Sequence, residues 1–347
     1  MLKLVLLFLS LAVSLVIAEG IVRLFGLAPA MTSTPWSSNV RVVEDPEYRY
    51  YVHTNSLGLR DSREFPRDSP STRVLFIGDS FTFGNGVSNE DTISFKTESI
   101  LNQETSRSWT VINAGVPGTG TRAEERQLQR VLARINVNAF VLFYFVDNDP
   151  YETQQEYESE SHPGHGPGSD SASVRMRAAL GRYSALYRFL RLRLATEGTL
   201  RAFPYTIFDQ CDPAKVKTFE RMDALMRASV DGMKQIAREK KLTFLAVLIP
   251  RREQVSTAAF DKFKQSYRVS RYPYDRLLPQ KRILEDVFGP EGISTFDLMS
   301  VFEDTNPDKY YYRFDGHFNP EGTTLVAQQL AKLLQNAMPS GKEERRH

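Results

Sequence analysis

A chain of 347 residues with 44 basic and 42 acidic side chains, a formal charge of +2, is long enough to bury a substantial core and has no charge excess that would select nucleic acid or a strongly acidic ligand. Its one cysteine, Cys211, excludes an intramolecular disulfide framework and a multi-cysteine metal site, and reads as a buried or incidental thiol.

At the N-terminus an uncharged apolar run fills residues 4–18, between Lys3 and Glu19. About fifteen residues at ~1.5 Å each fall short of a hydrocarbon layer of roughly 30 Å, but Lys3 and Glu19 near the two interfaces extend the span to about twenty. An uncleaved signal anchor and a cleaved signal peptide, with Val16-Ile17-Ala18 as cleavage site, both fit. Apolar character resumes beyond Arg23 through Leu24, Phe25 and Leu27, which favours an anchor over residues 1–27. A buried N-terminal helix would not carry so unbroken an apolar face. Lys3 and the free amine favour an inside N-terminus, so the rest of the chain, a domain expected over residues 40–338, falls outside the cytoplasm, in the periplasm or extracellular space.

After a polar connector at 32–39, short apolar runs alternate with helical patterns. Residues 73–78, 111–114, 140–146 and 244–249 are continuous apolar runs of the kind found in strands covered on both faces, and 293–298 is a weaker fifth. Between 215 and 241, Val216, Phe219, Met222, Met226, Val230, Met233 and Ile236 recur every three or four residues, a core-facing helical stripe. Such alternation predicts an α/β fold with a doubly wound parallel sheet, whose ligands bind beyond the carboxyl ends of the strands. Two stretches at about 151–200 interrupt it. Residues 151–173, acidic and then rich in Gly, Pro, Ser and His, are expected as a mobile surface loop; His162 and His165 lie in it without a third ligand, so no metal is expected. Residues 175–193 set Arg175, Arg177, Arg182, Arg188, Arg191 and Arg193 among Leu180, Tyr183, Leu186 and Leu190, a basic amphipathic helix that suits anionic lipid or glycan but more commonly a solvated face over a core-packed one.

The chemistry concentrates at strand ends. The first strand runs into Gly78-Asp79-Ser80, which puts the Ser80 hydroxyl on a strand-to-helix turn; as a structural feature alone, Asp-Ser there is an N-cap. The second ends in a glycine-rich turn from Asn113 to Gly120 without the spacing of a dinucleotide fingerprint, and the third in Asp147-Asn148-Asp149-Pro150, where Asn148 is either a turn former or an oxyanion donor. Near the C-terminus, Asn319 and Pro320 explain a helix start, but Asp315 and His317 do not belong to it: a carboxylate two residues from an imidazole can hold its tautomer while the other ring nitrogen accepts a serine proton. Of the five histidines only His317 has an orienting acid at a strand edge.

Together these four turns resemble the SGNH/GDSL hydrolase superfamily across roughly residues 73–335, with Ser80 in its first block, Gly118 in its second, Asn148 in its third, and Asp315 and His317 in its fifth. The resemblance implies a flavodoxin-like three-layer sandwich, Ser80 as nucleophile, His317 as general base and then acid, Asp315 as its orienter, an oxyanion hole from the Ser80 and Gly118 amides and the Asn148 side chain, and no cofactor. Residues 55–61 also resemble membrane-anchored members. The third block carries Val146 where the family usually has glycine, and the acid stands two residues before the histidine where three is common, a spacing similar to that of polysaccharide O-acetyltransferases, the alginate-acetylating type included. The expected activity is hydrolysis of ester-linked acyl groups, in a small molecule or an acylated glycan, through an acyl-serine, with acyl transfer to a polysaccharide as the close alternative. A non-catalytic glycan-binding protein would be expected to have lost a triad member, and a nucleotide-binding α/β protein would need a phosphate loop that is absent.

Overall fold

The structure, a computed structural model, describes residues 2–25, 40–45, 47–161, 176, 180, 184–194, 207–266, 274–313 and 315–339. Strands β1 (Val40–Glu44) and β2 (Arg49–His53) form an antiparallel hairpin with Val40 opposite His53 and Glu44 opposite Arg49. No expected strand covers it, because five-residue runs broken by Arg41, Glu44 and Arg49 carry little apolar signal; only alternation, Tyr50 and Val52 buried around exposed Tyr51, marks β2 as a strand.

The expected strands all form close to their expected bounds: β3 (Thr72–Ile77), β4 (Trp109–Asn113), β5 (Ala139–Phe145), β6 (Thr243–Ile249) and β7 (Ser294–Asp297). They pair in parallel in the order β4-β3-β5-β6-β7. Counted within this sheet the order is 2-1-3-4-5, the doubly wound arrangement whose switch point lies between β3 and β5. Along the chain run α1 (Leu2–Leu24), the one-turn α2 (Ser80–Phe83), α3 (Ile93–Glu104), α4 (Thr121–Leu132), α5 (Asp149–Ser161), α6 (Ala185–Leu194), α7 (Val216–Lys240) and α8 (Pro320–Ala337), with a further ten-residue helix at Thr257–Ser266 and shorter helical segments elsewhere.

Successive strand residues point to opposite faces, so an uninterrupted apolar strand needs two cores. On one face Val74, Phe76, Val141, Phe143 and Val247 pack with Ile93 and Leu101 of α3 and Val326, Leu330 and Leu334 of α8. On the other, Leu75, Ile77, Leu142, Tyr144 and Leu248 pack with Leu128 and Val131 of α4 and Met226, Val230 and Met233 of α7. The expected stripe on α7 is therefore core, except Val216, which is exposed in the first turn.

Two expectations at 151–200 change. Residues 151–161 belong to α5 and are not a loop: Glu156 accepts the backbone N–H groups of Gly120 and Ala123, and Glu160 pairs with Arg122 and Arg126 of α4, so the acidic residues that suggested a loop have partners on the neighbouring helix. Residues 162–173, with His162 and His165, lie outside the described residues. Within the expected basic helix, Met176 and Leu180 are helical and α6 covers the second half; the other residues of 175–183 are not described. Glu19 of α1 joins the two segments, accepting the N–H groups of Ala185 and Leu186 at 2.8 Å each and the Ser184 hydroxyl at 2.9 Å. In α1 the stretch Leu6–Leu24, with a mean hydropathy of 2.1 and 6% of it buried, is long and apolar enough to cross a bilayer by length and composition.

The turns are held by close approaches. A Cβ on Gly115 would lie 2.3 Å from the Phe83 nitrogen, so the β4 turn touches α2 backbone to backbone. Gly115→Ala is expected to destabilise the chain by about 1–3 kcal/mol as overpacking does, seen as a lowered Tm in thermal unfolding; an unchanged Tm would mean that α2 is free to move away.

Candidate active site

β3 reaches the carboxyl edge at Gly78 and turns at once. A Cβ there would stand 2.2 Å from Thr82 Oγ1 and 2.9 Å from the Phe143 carbonyl oxygen, so only glycine fits. Asp79 caps α2 by accepting the Phe81 N–H at 2.8 Å, with the Ser80 N–H also directed at its carboxylate. Gly84, left-handed at φ 89°, ends α2 after one turn. Ser80 is thus held at the edge of the sheet, next to the switch point. Arg60, 3% exposed, fixes the turn from below: its guanidinium donates to the carbonyls of Phe83 and Gly84 at 2.6 Å and to that of Val87, and lies 4.6 Å from the Phe83 ring. Asn55 makes the turn that delivers it, its Oδ1 accepting the Leu57 and Leu59 N–H groups. That is the structural content of the 55–61 stretch.

His317 arrives from the other end of the chain. The Tyr312 N–H donates to the His317 carbonyl at 2.8 Å, Tyr311 and Phe318 form an isolated bridge, and Gly316 at φ 84° reverses the chain inside this tight loop. The reversal brings the carboxylate back onto an imidazole only two residues away: His317 Nδ1–H donates to Asp315 Oδ1 at 2.5 Å. With Nδ1 carrying the proton, Nε2 accepts the Ser80 hydroxyl at 2.8 Å. The imidazole lies 4.7 Å from the Phe81 ring, with its side chain 18% exposed.

Burial alone would lower the His317 pKa, but the hydrogen bond and charge of Asp315, with the charge of Asp79, outweigh it and raise it above 6.5. Burial would raise Asp315, yet the bonds from His317 and Tyr48 hold it below the usual carboxylate value.

The hairpin supplies what sequence reasoning missed. Tyr48, between β1 and β2, donates its hydroxyl to Asp315 Oδ2 at 2.9 Å, and its ring packs 4.7 Å from that of Tyr312. Glu47 accepts the Arg313 N–H at 2.8 Å and the Asp315 N–H at 2.7 Å. No local signal marks either residue, since Tyr48 is 267 positions from its partner.

Of the expected oxyanion donors, the structure hydrogen-bonds neither Gly118 nor Asn148 to Ser80 but sets both on flanking turns of the same edge. The Val116 N–H donates to the Gly78 carbonyl at 2.9 Å, laying the β4 turn against β3, and Gly118 follows at φ 73° with open space where a Cβ would stand. Asn148, 8% exposed, precedes α5, and its carbonyl accepts the N–H groups of Tyr151 and Glu152. Val146, where glycine is usual, is buried in the second core and donates its N–H to the Ile249 carbonyl, extending the β5–β6 pairing. Cys211 is a free thiol whose pKa burial pushes up to about 11, far from the site in sequence and unreactive in character. Among the described residues no group of three or more His, Cys, Asp or Glu side chains could hold a metal ion.

A parallel sheet of this order, with a hydroxyl–imidazole–carboxylate line at its carboxyl edge, is an arrangement that suits an enzyme of the hydrolase or acyltransferase type. Residues 214–347 match the family model of the SGNH hydrolase-like domain of the acetyltransferase AlgX, a stretch that holds Asp315 and His317 but not Ser80. That stretch of the chain is similar to an SGNH hydrolase-like domain, and the sheet has the doubly wound parallel order. It is similar to the structure of a putative lipolytic protein of the G-D-S-L family from Desulfitobacterium hafniense, at 13% identity over 76% of this chain and 100% of that one, with a TM-score of 0.38. Other similar structures are TesA, at 13% identity over 77% and 100% with a TM-score of 0.43, and the esterase EstA from Pseudoalteromonas sp., at 10% over 78% and 100% with a TM-score of 0.40. No curated protein matches the sequence.

The raised His317 pKa has a sign that can be checked. Imidazolium paired with Asp315 contributes stability that is complete below pH 6.5 and lost as pH rises through the higher folded value. An NMR titration of the ring is expected to give a midpoint above 6.5 that drops in Asp315→Asn; a midpoint unchanged by that substitution would remove the carboxylate from the cause.

Proposed function

We propose that this chain is a serine esterase or acyltransferase working through an acyl-Ser80 intermediate. The observation that supports it most directly is the line of hydrogen bonds from Ser80 Oγ to His317 Nε2 at 2.8 Å and from His317 Nδ1 to Asp315 at 2.5 Å. In this mechanism His317 takes the Ser80 proton as the oxygen attacks the ester carbonyl, and Asp315 stabilises the imidazolium. The tetrahedral oxyanion is met by the N–H groups of Ser80 and Gly118 and the Asn148 amide, then collapses, expelling the alcohol, which takes the proton from His317. Water or a hydroxyl next gives its proton to Nε2 and attacks the acyl-Ser80, releasing an acid or a new ester and restoring the serine. Tyr48 enters as a positioning residue, because it holds the far oxygen of Asp315.

Hydrolysis is the first assignment. Transfer to a polysaccharide hydroxyl is favoured by one observation, the match of residues 214–347 to an acetyltransferase domain, with the two-residue spacing of Asp315 and His317 in the same direction. We also propose that α1 anchors the chain in a membrane, with the domain that follows, residues 40–338, outside the cytoplasm; the length and apolarity of Leu6–Leu24 and the exposure of its side chains support this.

Release of p-nitrophenol from a chain-length series of acyl esters by the full chain in detergent tests the reaction. Ser80→Ala is expected to abolish turnover with the fold intact, Asn148→Ala to lower kcat by roughly 10²–10³, and Tyr48→Phe to lower kcat about tenfold at unchanged KM, as loss of a hydrogen bond to a charged group does. Turnover that survives in Ser80→Ala would end the proposal. Acetyl transfer to an oligosaccharide exceeding release to water would select the transferase. For the anchor, alkaline carbonate washing should leave the chain in the membrane fraction, whereas release into the supernatant would contradict a spanning helix.

A further inference from the structure

Behind Ser80 the turns after β3, β4 and β5 enclose a group of carboxyls that the mechanism leaves unused. Asp79, Glu124 and Asp149 are buried almost completely, and Glu152 is 9% exposed. Asp79 accepts the Phe81 N–H, Asp149 the Phe145 N–H, and Glu156 those of Gly120 and Ala123. Glu152 has no such backbone donor. Its Oε2 is buried without a partner, and Asn148 stands one turn back, its carbonyl accepting the Glu152 backbone N–H at 2.9 Å and its side chain holding the Glu152 carboxyl down against burial. Asn148 in turn leaves Oδ1 buried without a partner. Two orphaned oxygens therefore sit on side chains a single helical turn apart, and one proton between them would satisfy both.

We infer that Glu152 is a positioning residue for Asn148: as a neutral acid it donates its O–H to Asn148 Oδ1 and turns the amide N–H groups toward the edge where Ser80 lies. The two ends of a planar amide point in opposite directions. A neutral Glu152 pairs with the oxygen and frees both N–H donors, whereas an ionised Glu152 captures an N–H and leaves the acceptor oxygen at the edge, where it repels a developing oxyanion. The inference rests on the proposed role of Asn148 as oxyanion donor. The acids around Glu152 favour the neutral form: Asp79 from the β3 turn and Glu156 one turn further along α5 act on it, while Glu124 of α4 and Asp149 at the start of α5 feel its charge. Burial first, then the charge of Asp79, raise its pKa to about 8 against the opposing bond from Asn148. The group is neutral at pH 7, and donor orientation is lost as pH rises through about 8.

The test is the pH dependence of p-nitrophenyl acetate turnover by the full chain and two variants. The unsubstituted chain is expected to lose kcat above pH 8 with little change in KM. Glu152→Gln, whose amide N–H donates at every pH, should keep kcat within about threefold at pH 7 and lose the alkaline limb. Glu152→Leu should fall toward the kcat of Asn148→Ala at all pH values. A Glu152→Gln profile that keeps the limb, or a Glu152→Leu protein with full kcat, overturns the inference, and if the leucine variant does not fold the glutamine profile decides alone. An Asn148→Ala protein with full kcat would instead overturn the oxyanion role on which the inference stands, and Ser80-independent turnover the whole mechanism.

Discussion

A serine hydroxyl becomes a good nucleophile when a base within hydrogen-bond reach takes its proton, and an imidazole whose other nitrogen is committed to a carboxylate is such a base. Here that requirement joins Ser80 and His317 across 237 positions at 2.8 Å. The constraint is severe, because a misplacement of an ångström at either end removes the bond. Each half is accordingly immobilised by its own local device. Gly78, the Asp79 cap and the left-handed Gly84 confine Ser80 to a one-turn helix, and Gly316 folds the Asp315–His317 loop back on itself. The parallel sheet then does what neither loop can do alone, since it carries the ends of β3 and β5 to one edge and sets the switch point beside the serine.

Asp315 and Glu124 show how burial and donors compete for a carboxyl near that edge. Asp315 receives His317, Tyr48 and a backbone N–H and stays an anion beside the imidazole. On the inner side Glu124 has neither oxygen partnered and is pushed well above its ordinary pKa, as is Asp149. Burial costs a carboxylate more than a carboxylic acid, so Asp315, with its several donors, is held low, while Glu124, with none, is pushed up.

The hairpin links this site to the beginning of the chain. β1 and β2 sit between the apolar N-terminal helix and the sheet in sequence, and the tip between them carries Glu47 and Tyr48 onto the loop that holds Asp315. Arg60, just after the hairpin, reaches under α2 with its guanidinium on the carbonyls that close that helix. A segment outside the sheet thus braces both halves of the hydrogen-bonded line, and its polar contacts are with backbone and carboxylate groups that would otherwise be short of partners.

By itself the sequence determined what depends on neighbours along the chain. Short continuous apolar runs alternating with helical patterns located β3 to β6, and a weaker run located β7; the three-and-four spacing from Phe219 to Met233 located α7; and Gly-Asp-Ser after a strand and Asp-Gly-His before Asn-Pro marked the two loops that meet in the hydrogen-bonded line. The tertiary structure decided what depends on partners far away. Residues 151–161 are helical because Glu156 and Glu160 find donors on α4, although their own composition suggests a loop, and the β1–β2 hairpin has too short a pattern to stand out. Tyr48 and Glu47 could not be found by any local rule, since a single hydrogen bond between residues 267 positions apart leaves no periodicity in the chain. The same holds for Asn148 and Glu152: their identities are in the sequence, but the burial that leaves Asn148 Oδ1 without a partner and raises the Glu152 pKa exists only once the helices have packed.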